Sequence, residues 1–115
     1  MLAKEHRLKR SSDFDEVFKH GKSVFDPVCG VRFQKNNLPD SRFAVVVGTK
    51  VHKRAVKRNA VRRQYREILR LHMDQFAPGF DVILLTSKQA LELDYAEKEA
   101  QLKRVLKKAG LFVRL

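Results

Sequence analysis

A strongly basic segment, residues 50–66, lies between two apolar runs and constrains the fold more than any other feature. The first run is Phe43 to Gly48 and the second is Phe80 to Thr86, each with the length of a strand buried on both faces. Apolar residues at helical spacing predict a helix from Ala55 to about His72. A strand, a helix and a second strand form a βαβ unit, so we expect the two strands to be parallel.

The rest of the chain predicts an α+β sandwich in a single domain, residues 1–115, with a mixed sheet of three or four strands and three helices packed on it. Gly21 is expected to end the first helix by taking the left-handed cap conformation. The usual hand for the βαβ crossover is right-handed. The expected α-β-β-β-α-β-α order comprises a helix starting at Ser11-Ser12-Asp13, strands near 22–25, 28–33 and 43–48, the helix 55–72, the strand 80–86, and a helix 95–109 capped by Asp94.

The basic segment carries most of the net charge of the chain. Eight of its seventeen residues are Lys or Arg and none is acidic, while the whole chain has a formal net charge of +12. Concentrated like charge destabilises a fold by repulsion and is usually tolerated because a polyanion neutralises it. A merely solvated helix face normally mixes both signs of charge. The segment therefore predicts a nucleic-acid partner.

A helical projection of this helix separates an apolar side from a basic side. Val61, Tyr65 and Ile68 fall on the side expected to face the sheet, and the arginines fall on a neighbouring arc. Arginine is suited to that arc because its guanidinium fork binds phosphate bidentately and stacks on bases. Asn59 lies among the arginines and is able to hydrogen-bond a base edge, a 2′-OH or a metal-bound water. Local capping or ordinary solvation is the alternative interpretation for Asn59.

The cysteine count and the distribution of apolar residues predict the cellular location of the protein. The chain has one cysteine, Cys29, so no internal disulfide forms, which suits a reducing cytosol. No apolar run is long enough to span a bilayer, and residues 1–10 lack the apolar core of a signal peptide. We therefore expect a cytoplasmic protein with no membrane partner.

Other classes of protein fit the residues less well. A ribosomal-type RNA-binding protein would share the size and charge of this chain, but the ordered pattern of residues on the basic helix argues against it, and an RNA-processing assay separates the two. A stand-alone nuclease needs an acid, a base and a cation in mutual reach, whereas the four histidines are far apart in sequence and no carboxylate cluster predicts a metal site. An amphipathic membrane helix would need apolar residues free to enter lipid, and here the sheet uses them.

The basic helix also carries a longer ordered pattern, Lys53-x-x-Val56-x-Arg58-Asn59-x-x-Arg62-Arg63-x-x-Arg66-Glu67. This pattern resembles the Arg-Asn-Arg signature of the bacterial ribonuclease P protein component. Residues 7–21 resemble the opening helix of that family, and residues 78–85 resemble its next strand, so the resemblance covers nearly the full chain. The middle position of the signature is commonly basic in the family, whereas this chain has Ala60.

The resemblance implies the protein subunit of ribonuclease P, a ribonucleoprotein endonuclease that removes the 5′ leader from precursor tRNA. In that enzyme the RNA subunit performs the hydrolysis with bound Mg²⁺, so we expect no catalytic residue and no metal site in the protein. The implied partners are ribonuclease P RNA and precursor tRNA, and no obligate protein partner is expected. The family's βαβ crossover is left-handed, and this expectation replaces the right-handed one.

Two groups of site residues follow from the resemblance. The substrate leader is expected in a cleft between the first helix and the sheet, lined by Phe14, Phe18 and either Arg32 or Phe33, which alternate between opposite faces of their strand. A Phe pair four residues apart is core in most helices, so Phe14 and Phe18 remain open between core and cleft. The expected RNA-binding residues are Lys53, Arg54, Arg58, Asn59, Arg62, Arg63, Arg66 and Arg70.

Overall fold

A computed structural model describes residues 2–112. Within this range the predicted order of helices and strands is confirmed, and short 3-10 turns lie at Lys4–His6, Met73–Gln75 and Lys88–Glu92. The elements are α1 (Ser11–His20), β1 (Lys22–Val24), β2 (Cys29–Lys35), β3 (Arg42–Val46), α2 (Ala55–Leu71), β4 (Phe80–Thr86) and α3 (Tyr95–Lys108).

The strands form one mixed sheet in the order β1-β2-β4-β3. β2 is antiparallel to both β1 and β4, whereas β3 and β4 are parallel, as the βαβ unit predicted. α2 connects these parallel strands. The α+β class and the mixed sheet are therefore confirmed, and the left-handed crossover stays a prediction.

The helices cover the two faces of the sheet unequally. α2 and α3 pack on the face formed by alternate residues such as Val31, Phe43 and Leu84, where the larger core cluster lies. α1 packs on the other face, where a smaller cluster joins Val17 to Leu8 and Ile83. Each such fully buried aliphatic or aromatic side chain contributes about 1.5–3 kcal/mol through removal from water. The small second cluster leaves much of the α1 face open to solvent.

The edge position of β3 corrects one expectation. The run from Phe43 was expected to be buried on both faces, and this is wrong at Val46, which is 36% exposed. β3 is the last strand of the sheet, and α1 packs mainly against β2 and β4. The outer side of β3 is met instead by the N-terminal segment, where Arg7 bridges to Phe43 and the Leu8 N–H donates to the Phe43 carbonyl at 2.9 Å.

The ends of the helices follow capping chemistry only in part. Asp94 and Glu97 form a complete capping box at the start of α3, as predicted for Asp94. The predicted start of α1 at Ser11 is confirmed, but the N-cap residue is Arg10, and none of the short polar side chains of Ser11-Ser12-Asp13 caps the helix. The left-handed conformation expected for Gly21 is also wrong, since its φ is −74°. A Cβ there would overlap the carbonyl oxygen of Val17, so space requires this glycine.

The single cysteine is part of the larger core. Cys29 is fully buried, and burial, followed by the nearby Asp26 carboxylate, raises the pKa of its thiol to about 12. The thiol is therefore neutral near pH 7 and packs as a small apolar side chain.

Candidate nucleic-acid interface

The interface predicted on α2 begins with the way this helix is anchored. Val61, Tyr65, Ile68 and Leu69 are buried, so one side of the helix is fixed to the core as the projection predicted. No side chain caps the N-terminus of α2, and its first turn contains no acid. The free N–H groups at a helix start favour anions, and here they are flanked by exposed Lys53, Arg54 and Lys57.

The middle of α2 presents a shallow recess. Its volume is about 450 Å³, and it is lined by Asn59, Arg62, Arg63, Arg66 and Glu67. The Arg62 Nη1 donates to the Asn59 Oδ1 at 2.5 Å, so the amide orients that guanidinium. Four of the predicted RNA-binding residues therefore share one surface.

Arg58 makes a different contact from its neighbours. Its Nη1 donates to the carbonyl oxygens of His52 at 2.9 Å and Lys53 at 2.6 Å. The Arg54 N–H donates in turn to the His52 Nδ1 at 3.0 Å. Arg58 thus fastens the loop that carries Lys53 and Arg54 to the first turns of α2, so these basic residues are held next to the recess.

Pairing with acids separates Arg70 from the rest of the row. Its Nη2 and Nε donate to the Glu67 carboxylate at 2.5 and 3.1 Å, and this hydrogen bond, with the charge of Glu67, raises the pKa of Arg70. Among the residues that the structure describes, no carboxylate pairs with Arg58, Arg62, Arg63 or Arg66. The positive charges of these four arginines are therefore not neutralised within the described residues, whereas that of Arg70 is partly neutralised.

Arg32, one of the residues predicted for the leader cleft, lies against the C-terminal end of α1. Its guanidinium lies 5.7 Å from the ring centroid of Phe18 and donates to the Ser23 hydroxyl at 2.8 Å and the Phe18 carbonyl at 2.5 Å. Longer bonds of 3.4 Å reach the carbonyls of Val17 and Gly21. Arg32 therefore caps the C-terminal end of α1 and holds a cation–π contact on the face that α1 covers.

The aromatic residues predicted for the cleft are in different places. Phe18 is 44% exposed, whereas Phe14 is half-buried against the small cluster with Val17. Phe33 is only 8% exposed and packs on the opposite face, with its ring 6.2 Å from that of Phe80. Of the alternatives Arg32 and Phe33, only Arg32 shares the α1 face, so Phe33 belongs to the core.

Two residues near these surfaces were missed by the sequence reasoning. Phe25 is 73% exposed and lies against Gly30, which shares the α1 face with Arg32. Arg7 lies close enough to Arg66 to lower the pKa of Arg66, after burial and Arg62. Arg7 belongs to the N-terminal pattern that resembles the family, but the sequence does not show that this residue lies near α2. It lies there because the N-terminal segment pairs with β3.

No group of three or more His, Cys, Asp or Glu side chains within residues 2–112 is arranged to hold a metal ion. No helix in the described part of the chain combines the length and apolarity that crossing a bilayer requires.

Known protein families include one whose sequence pattern spans nearly all of this chain. The family described as Ribonuclease P matches residues 2–110. The chain belongs to the ribonuclease P protein family. A relative, the ribonuclease P protein component of Synechococcus elongatus, is 38% identical over 97 residues, which is 81% of this chain and 79% of the relative. That of Clostridioides difficile is 32% identical over 107 residues, covering 92% and 93%.

Solved structures of ribonuclease P proteins share the fold. The Staphylococcus aureus protein superposes with a TM-score of 0.86 at 28% identity and covers 93% of this chain and 97% of its own. The Thermotoga maritima protein gives 0.81 at 33% identity, covering 89% and 96%. Members of the family serve in RNA binding and in processing of the tRNA 5′ end. This chain is accordingly a subunit of the ribonuclease P holoenzyme, an endoribonuclease whose RNA carries the catalysis.

Proposed function

We propose that the protein binds ribonuclease P RNA through the basic side of α2 and binds the 5′ leader of precursor tRNA between α1 and the sheet. The observation that carries the proposal is the row Arg58, Arg62, Arg63 and Arg66, none of which pairs with a carboxylate within residues 2–112. Like charges at this spacing cost a few tenths of a kcal/mol per pair in a helix. An RNA backbone offsets that cost by replacing its counterions with these side chains.

The chemistry of the α1 face supports a role in leader binding. Phe18 exposes much of its ring, and Arg32 is fixed beside it by hydrogen bonds to backbone carbonyls. A ring and a guanidinium together offer stacking for a base and charge for a phosphate. Stacking of this kind tolerates any base, which suits leaders of varied sequence. Phe14 would line the inner end of the same surface.

The division of labour with the RNA subunit is part of the proposal. Mg²⁺ would be held by the RNA, as the resemblance implies, and the protein would contribute binding and positioning of the substrate. The chain would act as one RNA-binding domain, residues 1–115, in the cytoplasm. No obligate protein partner is needed for this role.

A processing assay tests the proposal directly. The folded protein alone should cleave no precursor tRNA, and with a bacterial ribonuclease P RNA it should increase cleavage at low Mg²⁺. The 5′ end of the product, mapped at nucleotide resolution, should be that of mature tRNA. Failure of the folded protein to stimulate the RNA would refute the proposed function.

Replacing Arg63 with Ala should weaken binding of the protein to ribonuclease P RNA about ten-fold at low salt, because a charge-assisted phosphate contact is lost. The plot of log affinity against log salt should become shallower by about one unit. Arg104→Ala is the matched control, since Arg104 is an exposed arginine on α3. An unchanged slope in Arg63→Ala would exclude this residue from the interface.

Replacing Phe18 with Ala should lower holoenzyme affinity for leader-bearing precursor tRNA about ten-fold, because stacking contributes about 1–3 kcal/mol per base. Affinity for mature tRNA should change little. The bond from Arg32 to the Phe18 carbonyl is retained, so the change isolates the ring. Leu91→Ala removes a comparably exposed apolar side chain as a control. Equal losses with both RNAs would return Phe18 to a structural role.

A further inference from the structure

A second basic pocket lies where the N-terminal segment passes the edge strand β3. Its volume is about 290 Å³, and its basic lining residues are Arg7, Lys9 and Arg66. The rest of the lining is apolar, including Phe14, Ala44 and Val46, and no acidic side chain takes part. The pocket therefore combines concentrated positive charge with partial shielding from water, which strengthens its attraction for an anion.

The three cations come from two separate parts of the fold. Arg7 is fixed because its Nε donates to the Leu2 carbonyl at 2.8 Å and its backbone bridges to Phe43. Arg66 reaches the same pocket from α2. Burial, then the charges of Arg62 and Arg7, lowers the pKa of Arg66, so its neighbours repel rather than neutralise it. Nothing in residues 2–112 offsets this repulsion with a paired carboxylate.

The position of the pocket indicates which RNA it meets. Phe14 lines both this pocket and the small cluster under α1, and Ala44 and Val46 lie on the α1 face of the sheet. A single-stranded RNA that lies along α1 therefore reaches the pocket while staying on one face of the sheet. The recess formed by Asn59, Arg62 and Arg63 also includes Arg66, so Arg66 belongs to both surfaces.

We propose that this pocket binds a backbone phosphate of the precursor tRNA leader, with Arg7, Lys9 and Arg66 as its cationic ligands. The inference rests on the proposed function, since it assigns a new subsite to the leader-binding surface. It also gives Arg66 a second contact, because Arg66 lines both this pocket and the recess on α2, whereas Arg63 lines only the recess.

Arg7→Gln and Lys9→Gln in the reconstituted holoenzyme test the pocket, with Lys107→Gln on α3 as an equal change of charge elsewhere. Arg7→Gln should weaken binding of leader-bearing precursor tRNA about ten-fold, and Lys9→Gln should weaken it less but in the same direction. Affinity for mature tRNA and for ribonuclease P RNA should stay within two-fold (about 0.4 kcal/mol) of wild type. Arg7→Gln also removes the hydrogen bond from Arg7 to the Leu2 carbonyl, which could affect folding. Lys9 makes no hydrogen bond within residues 2–112, so Lys9→Gln tests the charge of the pocket without that effect.

Precursor tRNAs with one methylphosphonate linkage, moved along the leader, identify the phosphate. At the bound position, the linkage should weaken binding by wild type at least as much as Arg7→Gln does, and it should weaken binding by the Arg7→Gln variant by a smaller factor than it weakens binding by wild type. The inference would be overturned if the variants lost equal affinity for leader-bearing and mature tRNA, or lost affinity only for ribonuclease P RNA. It would also be overturned if they lost no affinity at all. If wild type itself shows no preference for a leader, the proposed function fails as well, so the two failures are distinguishable.

Discussion

Replacing Asp81 with Ala is expected to lower the free energy of unfolding by about 3–5 kcal/mol, the cost of leaving a mostly buried charge without its partner. The Asp81 side chain is 8% exposed and accepts hydrogen bonds from the Arg42 Nε at 2.8 Å and Nη2 at 2.7 Å. The Asn36 Nδ2 donates to the same carboxylate at 2.9 Å. The bond to Asp81 raises the pKa of Arg42. Arginine stays protonated even without such a partner, so the substitution leaves Arg42 charged and without its main counter-ion.

The loss should extend to α1, because the Arg42 Nη1 also donates to Asp13 at 3.3 Å. Asp81 thus fixes Arg42, which holds the start of α1 to β3. Urea unfolding followed by circular dichroism measures the change, with Asp15→Ala, an exposed acid of α1, as the control. If both variants lost equal stability, the Asp81–Arg42 pair would contribute nothing specific.

Replacing Gly21 with Ala should lower the free energy of unfolding by about 3 kcal/mol through overpacking. The added Cβ would overlap the Val17 carbonyl oxygen and lie 2.9 Å from that of Phe33, and both are backbone atoms that do not move aside cheaply. At a φ of −74° the same substitution in open space would stabilise the protein by about 0.4–1 kcal/mol. The sign of the effect therefore tests the close approach of α1 to β2.

Gly48→Ala supplies the matched control, because within the described residues nothing apart from Gly48 and its chain neighbours lies within 4 Å of the Cβ that it would add. Thermal unfolding of the two variants should give changes of opposite sign, or a loss for Gly21→Ala and none for Gly48→Ala. A stabilised Gly21→Ala would show that the turn after α1 relaxes freely.

The pattern of apolar residues was sufficient to predict the elements and the parallel pairing of β3 with β4. The pattern did not specify which of these strands lies at the edge of the sheet, because β3 and β4 are similarly apolar. β3 is the edge strand because β2 pairs with β4 and not with β3. The expectation that β3 is buried on both faces failed at Val46 for this reason. Edge position is a property of the whole sheet, which a local run of residues does not report.

The site was predictable on α2 and less so elsewhere. Helical spacing places the arginines on one side wherever the helix docks, so local periodicity was enough. The choice between Arg32 and Phe33 needed the location of α1, which alternation along β2 does not reveal. Arg7 was missed because a contact with Arg66 spans 59 positions and depends on the N-terminal segment pairing beside Phe43.

The pairing of the N-terminal segment with β3 has a further consequence for solubility. An open edge strand invites another molecule to add a strand, which is a common route to aggregation. Here the Leu8 N–H occupies the Phe43 carbonyl, and Arg7, Lys9 and Arg10 surround that contact with positive charge. Two copies approaching edge to edge would therefore repel each other, so the cations that draw in a polyanion also discourage self-association.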